Sequence, residues 1–218
     1  LTHLHSDHVI DFYQLVISSW HSYRVKPWVV YGPPGTKKFV KKIMDAWKDE
    51  RSQRINYEAR SSTAAFNIVI KEFKKIGKIS IKDLKITYFE VDHKPVKYAY
   101  GFNFYNNNKK LTISGDTRPC ENIMKYGQNS NVLLHEVFID GELKKVNKMR
   151  SRKTLHNVRD YHTPSTLVGK IAKLTNCKKL VLTHLVPTKF NEKRLKETVK
   201  SDFGKNPIIG YDLLKIKI

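Results

Sequence analysis

The first eight residues of the chain crowd together four side chains that could bind metal ions, in the stretch Leu-Thr-His-Leu-His-Ser-Asp-His. If this stretch ends a strand, His3 and His5 point the same way, because side chains alternate with a period of two. A turn into a helix then brings Asp7 and His8 to a second position nearby. Imidazole and carboxylate donors suit zinc, iron or manganese, and the absence of a thiolate argues against a purely structural zinc site. The stretch therefore predicts part of a metal site, and the alternative is a histidine-rich surface loop.

Three further polar residues follow apolar segments that are typical of strands. His93 comes after a strand that ends at residue 91, Asp116 after a strand over 111–114, and His184 after a strand over 180–183. Loops at strand ends converge and often carry functional residues. Each residue taken alone is equally consistent with a turn residue or a structural histidine. Together with the N-terminal stretch, they are predicted to complete the metal site.

The elements that must position these residues alternate between helices and strands. Apolar residues recur at helical spacing from Phe12 to Trp20 and from Phe39 to Trp47. Two prolines before the second of these helices are predicted to form its first turn. The predicted strands cover residues 28–31, 68–70, 79–81, 84–88, 98–105, 111–114, 132–134, 180–183 and 212–218. A turn over 106–109 joins two of them in a hairpin.

Two more helices are predicted in the second half of the chain. The first has Thr163 as its N-cap and Pro164 at its first position, and the second covers residues 191–203. Strands that alternate with helices and include a hairpin predict a layered α/β fold with a mixed sheet.

Length, cysteine count and net charge say less about the class of protein than the motifs do. The 218 residues suffice for one domain or a large part of one, and no apolar run approaches membrane-spanning length. Cys120 and Cys177 are too few for a disulfide framework. The formal net charge of +21 favours an anionic partner such as RNA, DNA, an anionic ester or a membrane surface. Lysines spread over solvated faces would give the same charge, so charge alone does not decide the substrate.

The motifs taken together resemble the metallo-β-lactamase superfamily, and more narrowly its ribonuclease Z/arylsulfatase-like branch. The superfamily pattern rests on the opening histidines and aspartate, then His93, Gly115-Asp116-Thr117 and Thr183-His184, in that order. The branch pattern rests on Tyr31-Gly32-Pro33-Pro34-Gly35, Val91-Asp92-His93-Lys94-Pro95, Ser114-Gly115-Asp116-Thr117, His135-Glu136-Val137 and Tyr161-His162-Thr163.

This resemblance implies an αββα sandwich that carries two zinc ions, with iron or manganese as alternatives. By the superfamily pattern the first ion is held by His3, His5 and His93, the second by Asp7, His8 and His184, and Asp116 bridges both. The implied nucleophile is a metal-bound hydroxide, which Asp7 would also orient. His162 is the implied proton donor, and Glu136 is placed to fix and charge it. The alternative is that His162 merely starts a helix while Glu136 pairs with a lysine.

The chain departs from the superfamily pattern in two places. Full domains have further strands before the opening motif, so we expect residues 1–218 to be a single metallo-β-lactamase-like domain that lacks its N-terminal part. An exposed sheet edge would follow, and association of two copies into a homodimer is left open. The compartment, cytoplasmic or exported, is undetermined. The short polar segment 49–66 and the sequence Leu185-Val186-Pro187-Thr188 differ from ribonuclease Z proper, which favours a smaller substrate over transfer RNA.

The leading functional hypothesis is therefore a dinuclear zinc hydrolase whose metal-bound hydroxide attacks an anionic ester, either a phosphodiester or an aryl sulfate. A ribonuclease Z-type endonuclease that processes transfer RNA 3′ ends is the first alternative. A non-catalytic nucleic-acid-binding fragment with structural metals is the second, and the complete set of seven ligand positions argues against it.

Overall fold

A computed structural model describes residues 1–142 and 151–218 of the chain. They form two compact units, Leu1–Lys74 and Lys75–Ile218, and each has its own apolar core. Among the described residues, no helix combines the length and the apolar character needed to cross a membrane.

The unit Leu1–Lys74 packs helices against a two-stranded parallel sheet. Its elements are α1 (Ser6–Val9), α2 (Phe12–His21), β1 (Trp28–Gly32), α3 (Thr36–Ala46), α4 (Lys48–Glu58) and β2 (Ile68–Glu72). In the sheet Trp28 lies opposite Ile68 and Val30 opposite Ile70, and these side chains pack on the apolar stripes of α2 and α3. Both helices predicted from those stripes are therefore confirmed.

The turn between β1 and α3 is built on a glycine and capped from β2. Gly35 has φ +100°, a conformation that other residues rarely adopt. The Glu72 carboxylate accepts hydrogen bonds from the amides of Gly35 (3.0 Å) and Lys37 (2.8 Å). Because α3 begins only at Thr36, the two prolines precede the helix rather than forming its first turn, and that prediction is wrong.

The unit Lys75–Ile218 is built on a seven-stranded sheet in the order β3-β4-β5-β6-β7-β8-β9. The strands are β3 (Ile76–Ile81), β4 (Leu84–Glu90), β5 (Tyr100–Asn106), β6 (Lys109–Ile113), β7 (Val132–Phe138), β8 (Lys179–Val186) and β9 (Ile208–Ile209). The helices are α5 (Glu121–Tyr126), α6 (Arg152–Asp160), α7 (Ser165–Leu174) and α8 (Glu192–Phe203). Neighbours from β3 to β6 are antiparallel and neighbours from β6 to β9 are parallel. The predicted mixed α/β fold is confirmed.

The centre of this sheet lies in the apolar core of the unit. Leu133 on β7 and Leu180 and Leu182 on β8 are fully buried, and they belong to the same apolar cluster as Val168 of α7 and Val199 of α8. Strands held in this way provide a rigid base for residues at their ends.

Local predictions succeed and fail for identifiable reasons. The hairpin β5–β6 is confirmed, and Asn107 and Asn108 at its turn both have positive φ. The predicted strand over 212–218 is wrong, because β9 already occupies the edge beside β8 and the residues that follow it pair with no strand among those described. The helices α4, α5 and α6 are not predicted from the sequence. Helix α4 buries no residue and α6 buries only Leu155, so neither has an apolar stripe that the sequence could reveal.

Candidate metal centre

The N-terminal histidines and aspartate lie together at the start of the unit Leu1–Lys74. An extended segment runs to His5, and α1 begins directly after it. The ring of His3 lies 4.7 Å from that of His5 and 4.2 Å from that of His8, and His8 Nε2 lies 3.4 Å from Asp7 Oδ2. His3 is buried whereas Asp7 is exposed. The short helical turn thus brings His8 beside both His3 and Asp7.

The unit Lys75–Ile218 gathers a second group around Asp116. This residue follows Gly115, which has φ +61°, just beyond the end of β6. Asp116 Oδ2 lies 3.3 Å from His184 Nε2 and 3.9 Å from His93 Nε2. One donor atom from each of His93, Asp116 and His162 lies within 4.8 Å of the other two. A single buried carboxylate oxygen is therefore shared between two imidazoles.

His93 is oriented by the backbone of a loop that is distant in sequence. Its Nδ1 donates a hydrogen bond to the carbonyl of Tyr161 at 2.8 Å, which fixes the tautomer and turns Nε2 towards Asp116. A carbonyl that accepts from the second ring nitrogen is the usual support of a metal-binding histidine.

His184 lies within β8 and not after it, which corrects the predicted end of that strand. Thr183 pairs with Glu136 and Leu185 pairs with Val137, so His184 is the extra residue of a β-bulge. Its φ is +45°. Bulges re-aim a side chain and often occur next to active sites. The pattern of apolar and polar residues along the strand does not indicate an inserted residue, so the bulge cannot be predicted from the sequence alone.

Glu136 on β7 and His162, two residues after α6, form the predicted pair. His162 Nδ1 lies 3.2 Å from Glu136 Oε1, and both side chains are buried. The same oxygen accepts hydrogen bonds from the amides of Thr117 (3.1 Å) and Thr163 (2.9 Å). Burial raises the pKa of Glu136 well above its usual value and the charge of Asp116 adds to this, whereas the two amides lower it.

These donors fit a divalent cation. Two imidazole nitrogens within 4 Å of one buried carboxylate oxygen form a nitrogen and oxygen set that suits zinc, iron or manganese. Without a cation or protonated rings, the buried Asp116 charge would be costly. The chemistry of the donor set therefore agrees with the implied metals.

The other histidines of the chain, His21, His135 and His156, belong to none of these donor groups. His135 is fully buried, its Nδ1 donates to the Glu136 carbonyl at 2.7 Å, and burial lowers its pKa to about 4. His21 lies 3.8 Å from the Glu58 carboxylate, and His156 is exposed on α6.

Thr117 and Thr163 donate their amides to the predicted site residue Glu136, a contact that the sequence does not indicate. Both are fully buried, and each directly follows a predicted site residue. Thr163 is not the N-cap of α7: that position is Pro164, and the Thr163 hydroxyl donates instead to the Thr117 carbonyl at 2.7 Å. The only available signal was their place in the Gly-Asp-Thr and Tyr-His-Thr motifs.

Comparisons with known proteins agree with the fold. A family model described as "Anti-Pycsar protein Apyc1" matches residues 1–157 of the chain. Ribonuclease Z of Mycobacterium avium (strain 104) is 27% identical over 224 residues, and the alignment covers 100% of this chain and 78% of that protein.

Two solved structures share the fold. Human tRNase Z, short form, superposes with a TM-score of 0.67 at 18% identity, covering 100% of this chain and 77% of that one. The metallo-beta-lactamase fold protein YhfI from Bacillus subtilis superposes with a TM-score of 0.66 at 19% identity, covering 96% of this chain and 73% of that one. The predicted metallo-β-lactamase fold is confirmed.

Proposed function

The chain belongs to the family described as anti-Pycsar protein Apyc1, and we propose that it cleaves phosphodiester bonds with two bound zinc ions. It is a metal-dependent hydrolase of the metallo-β-lactamase superfamily, in the ribonuclease Z branch. The observation that carries the proposal is the carboxylate of Asp116 between His93 and His184, with the His162–Glu136 pair in the same unit. We further propose that this hydrolysis underlies the action against Pycsar that the family's description names.

The proposed ligand set draws on both groups of donors. His3, His5 and His93 would hold one ion, Asp7, His8 and His184 the other, and Asp116 both. The support is the donor chemistry of each group and the order of the motifs along the chain. Two bound ions would activate a water molecule and stabilise the charge that develops on the phosphoryl oxygens. Iron or manganese would suit the same donors.

His162 is the residue that we propose donates a proton to the leaving oxygen. Its Nδ1 faces the Glu136 carboxylate, so Nε2 on the far side of the ring is the atom that would donate. A carboxylate beside the ring favours the protonated imidazole, as an acid requires. Glu136 is itself held by two amides, which fixes the ring's partner in place.

A phosphodiester is favoured over an aryl sulfate as the substrate. The relatives reported above carry ribonuclease names, and the excess of basic residues suits a substrate with several phosphates. RNA, including the 3′ ends of transfer RNA, is therefore the first substrate to test, and a small phosphodiester the second.

The test is parallel turnover of bis-nitrophenyl phosphate, a cyclic nucleotide, an aryl sulfate and a precursor transfer RNA, together with zinc content by atomic emission. We expect two zinc ions per chain, turnover of the phosphodiesters and none of the sulfate. Cleavage of RNA should fall steeply with salt, because phosphate contacts dominate its binding. Zinc content of one or less, or turnover of the sulfate alone, would contradict the proposal.

Asp116→Asn tests the shared carboxylate, and His156→Ala on the exposed face of α6 is its control. Removing the charge should lower zinc affinity more than about tenfold. Even the replacement of a residue that only hydrogen-bonds to a metal ligand lowers metal affinity or activity about 10–100-fold. Turnover of every phosphodiester should fall with it, whereas His156→Ala should match the wild type. Full activity of Asp116→Asn would exclude this carboxylate as a ligand.

A further inference from the structure

Two loops of the candidate centre are tied together by a hydrogen bond that serves neither a helix nor a strand. The buried hydroxyl of Thr163 donates to the carbonyl of Thr117 at 2.7 Å. Thr117 directly follows the candidate ligand Asp116, and Thr163 directly follows the candidate proton donor His162. The bond therefore joins the residue that follows the candidate proton donor to the residue that follows the candidate ligand.

The carboxylate of Glu136 binds the same two backbone segments through their amides. One oxygen, Oε1, accepts hydrogen bonds from the amides of both Thr117 and Thr163, so the two peptide units share a single acceptor on β7. The Thr163 carbonyl also accepts from the amide of Phe138 at the end of β7. The Thr163 hydroxyl is the one contact among these that links the two loops directly to each other.

The loop of Asp116 is also held to the loop of Asp92 by two of its side chains. The Thr117 hydroxyl accepts from the Asp92 amide at 3.2 Å and donates to a carbonyl of the same loop. The Arg118 side chain lies 3.0 Å from the Asp92 carboxylate. The segment carrying His162 is held by the Tyr161 carbonyl, which accepts from His93 Nδ1, and by the exposed ion pair of Asp160 with Arg118. If the Thr163 hydroxyl is lost, we expect this segment to shift relative to Asp116, while the Asp116 segment stays in place.

We propose that Thr163 is a positioning residue whose hydroxyl sets the place of His162 relative to Asp116. This inference rests on the proposed function, because it assigns the residue to the proton-transfer half of that reaction and not to metal binding. A displacement of about 1 Å can lower turnover about 100-fold. Proton donation matters most when the leaving oxygen is a poor leaving group, so the loss should depend on the substrate.

The experiment compares Thr163→Val, which removes the hydroxyl at constant shape, with Thr163→Ser, which keeps it. The matched control is Thr175→Val: Thr175 is also fully buried, and its hydroxyl also donates to a carbonyl, that of Ala172, at the end of α7. Each protein is assayed on bis-nitrophenyl phosphate and on the dinucleotide UpU, whose leaving group is an alkoxide. Zinc affinity is measured by competition with a chromogenic chelator, and thermal unfolding is measured on the metal-free protein.

We expect Thr163→Val to lower kcat on UpU about 10–100-fold, with a change under about threefold on bis-nitrophenyl phosphate, in KM and in zinc affinity. Thr163→Ser should recover most of the loss, and Thr175→Val should lose stability without this substrate dependence. Equal losses on both substrates, or a parallel fall in zinc affinity, would overturn the positioning role. A wild-type protein that turns over neither phosphodiester would instead contradict the proposed function, so the two failures are distinguishable.

Discussion

Replacing Glu136 by alanine should lower the free energy of unfolding of the metal-free protein by about 2–6 kcal/mol. Two buried amides, those of Thr117 and Thr163, donate to its Oε1, and each buried donor left without a partner costs about 1–3 kcal/mol. Glu136→Gln keeps an acceptor at this position, so we expect it to lose less than about half as much. Most domains have only about 5–15 kcal/mol in total, so the alanine variant should be markedly less stable.

Glu72 provides a control with the same number of amide donors and a different degree of burial. Its Oε1 accepts from the amides of Gly35 and Lys37 at the start of α3, but its side chain is exposed. Water can replace the carboxylate there, so Glu72→Ala should cost about 0.5–2 kcal/mol, as the loss of a helix cap does. The difference between the two alanine variants isolates what burial adds to the Glu136 site.

The assay must separate the two compact units, and the sequence makes this possible. All three tryptophans, Trp20, Trp28 and Trp47, lie in the unit Leu1–Lys74, so fluorescence follows the unit that contains Glu72. Urea unfolding followed by far-UV circular dichroism reports on both units and is needed for Glu136. The reasoning would be refuted if Glu136→Ala lost no more free energy of unfolding than Glu72→Ala does. It would also be refuted if Glu136→Gln lost as much as Glu136→Ala.

The stability difference between wild type and Glu136→Gln should also change with pH. Burial raises the pKa of Glu136, so its neutral form is the one that is easily buried. The stabilising contribution of a group with a raised pKa is present at acidic pH and is lost as pH rises through the folded-state value. The free energy of unfolding of Glu136→Gln, relative to that of the metal-free wild type, should therefore increase as pH rises. Its turnover of UpU should nevertheless fall about 10²–10⁴-fold, because the charge beside His162 is lost.

Two further predictions concern packing and thiol chemistry in the unit Lys75–Ile218. Gly169→Ala would place a methyl group 2.5 Å from the carbonyl oxygen of Val199 on α8, and should lower the free energy of unfolding by about 1–3 kcal/mol in urea titrations; unchanged stability would mean that the two helices are not in close contact. Burial raises the pKa of Cys177 to about 11, so iodoacetamide at mildly alkaline pH should label the partly exposed Cys120 first. Peptide mass spectrometry measures this, and equal labelling of both thiols in the folded protein would contradict it.

The sequence predicts those features that depend on periodicity or on residue type. The apolar stripes of α2 and α3 and the Asn107-Asn108 turn follow from local rules, and the structure has all of them. The positions of His93 and Asp116 near strand ends follow from where apolar runs stop. Features that depend on partners distant in sequence were not predictable. The bulge at His184 exists only relative to β7, and the alternating residues 212–218 form no strand because β9 occupies the edge beside β8.

Thr163 shows why a local rule can point to the right residue and the wrong partner. Thr163-Pro164 before an apolar helical stripe is typical of an N-cap, which is worth about 0.5–2 kcal/mol. If the hydroxyl capped α7, the Thr117 carbonyl would lose the donor that it has at 2.7 Å, and a buried acceptor without a partner costs about 1–3 kcal/mol. Pro164 takes the N-cap position without any side-chain hydrogen bond. The tertiary bond is therefore favoured wherever the loop is buried, and a threonine directly after a candidate site residue is better interpreted as a link between loops than as a helix cap.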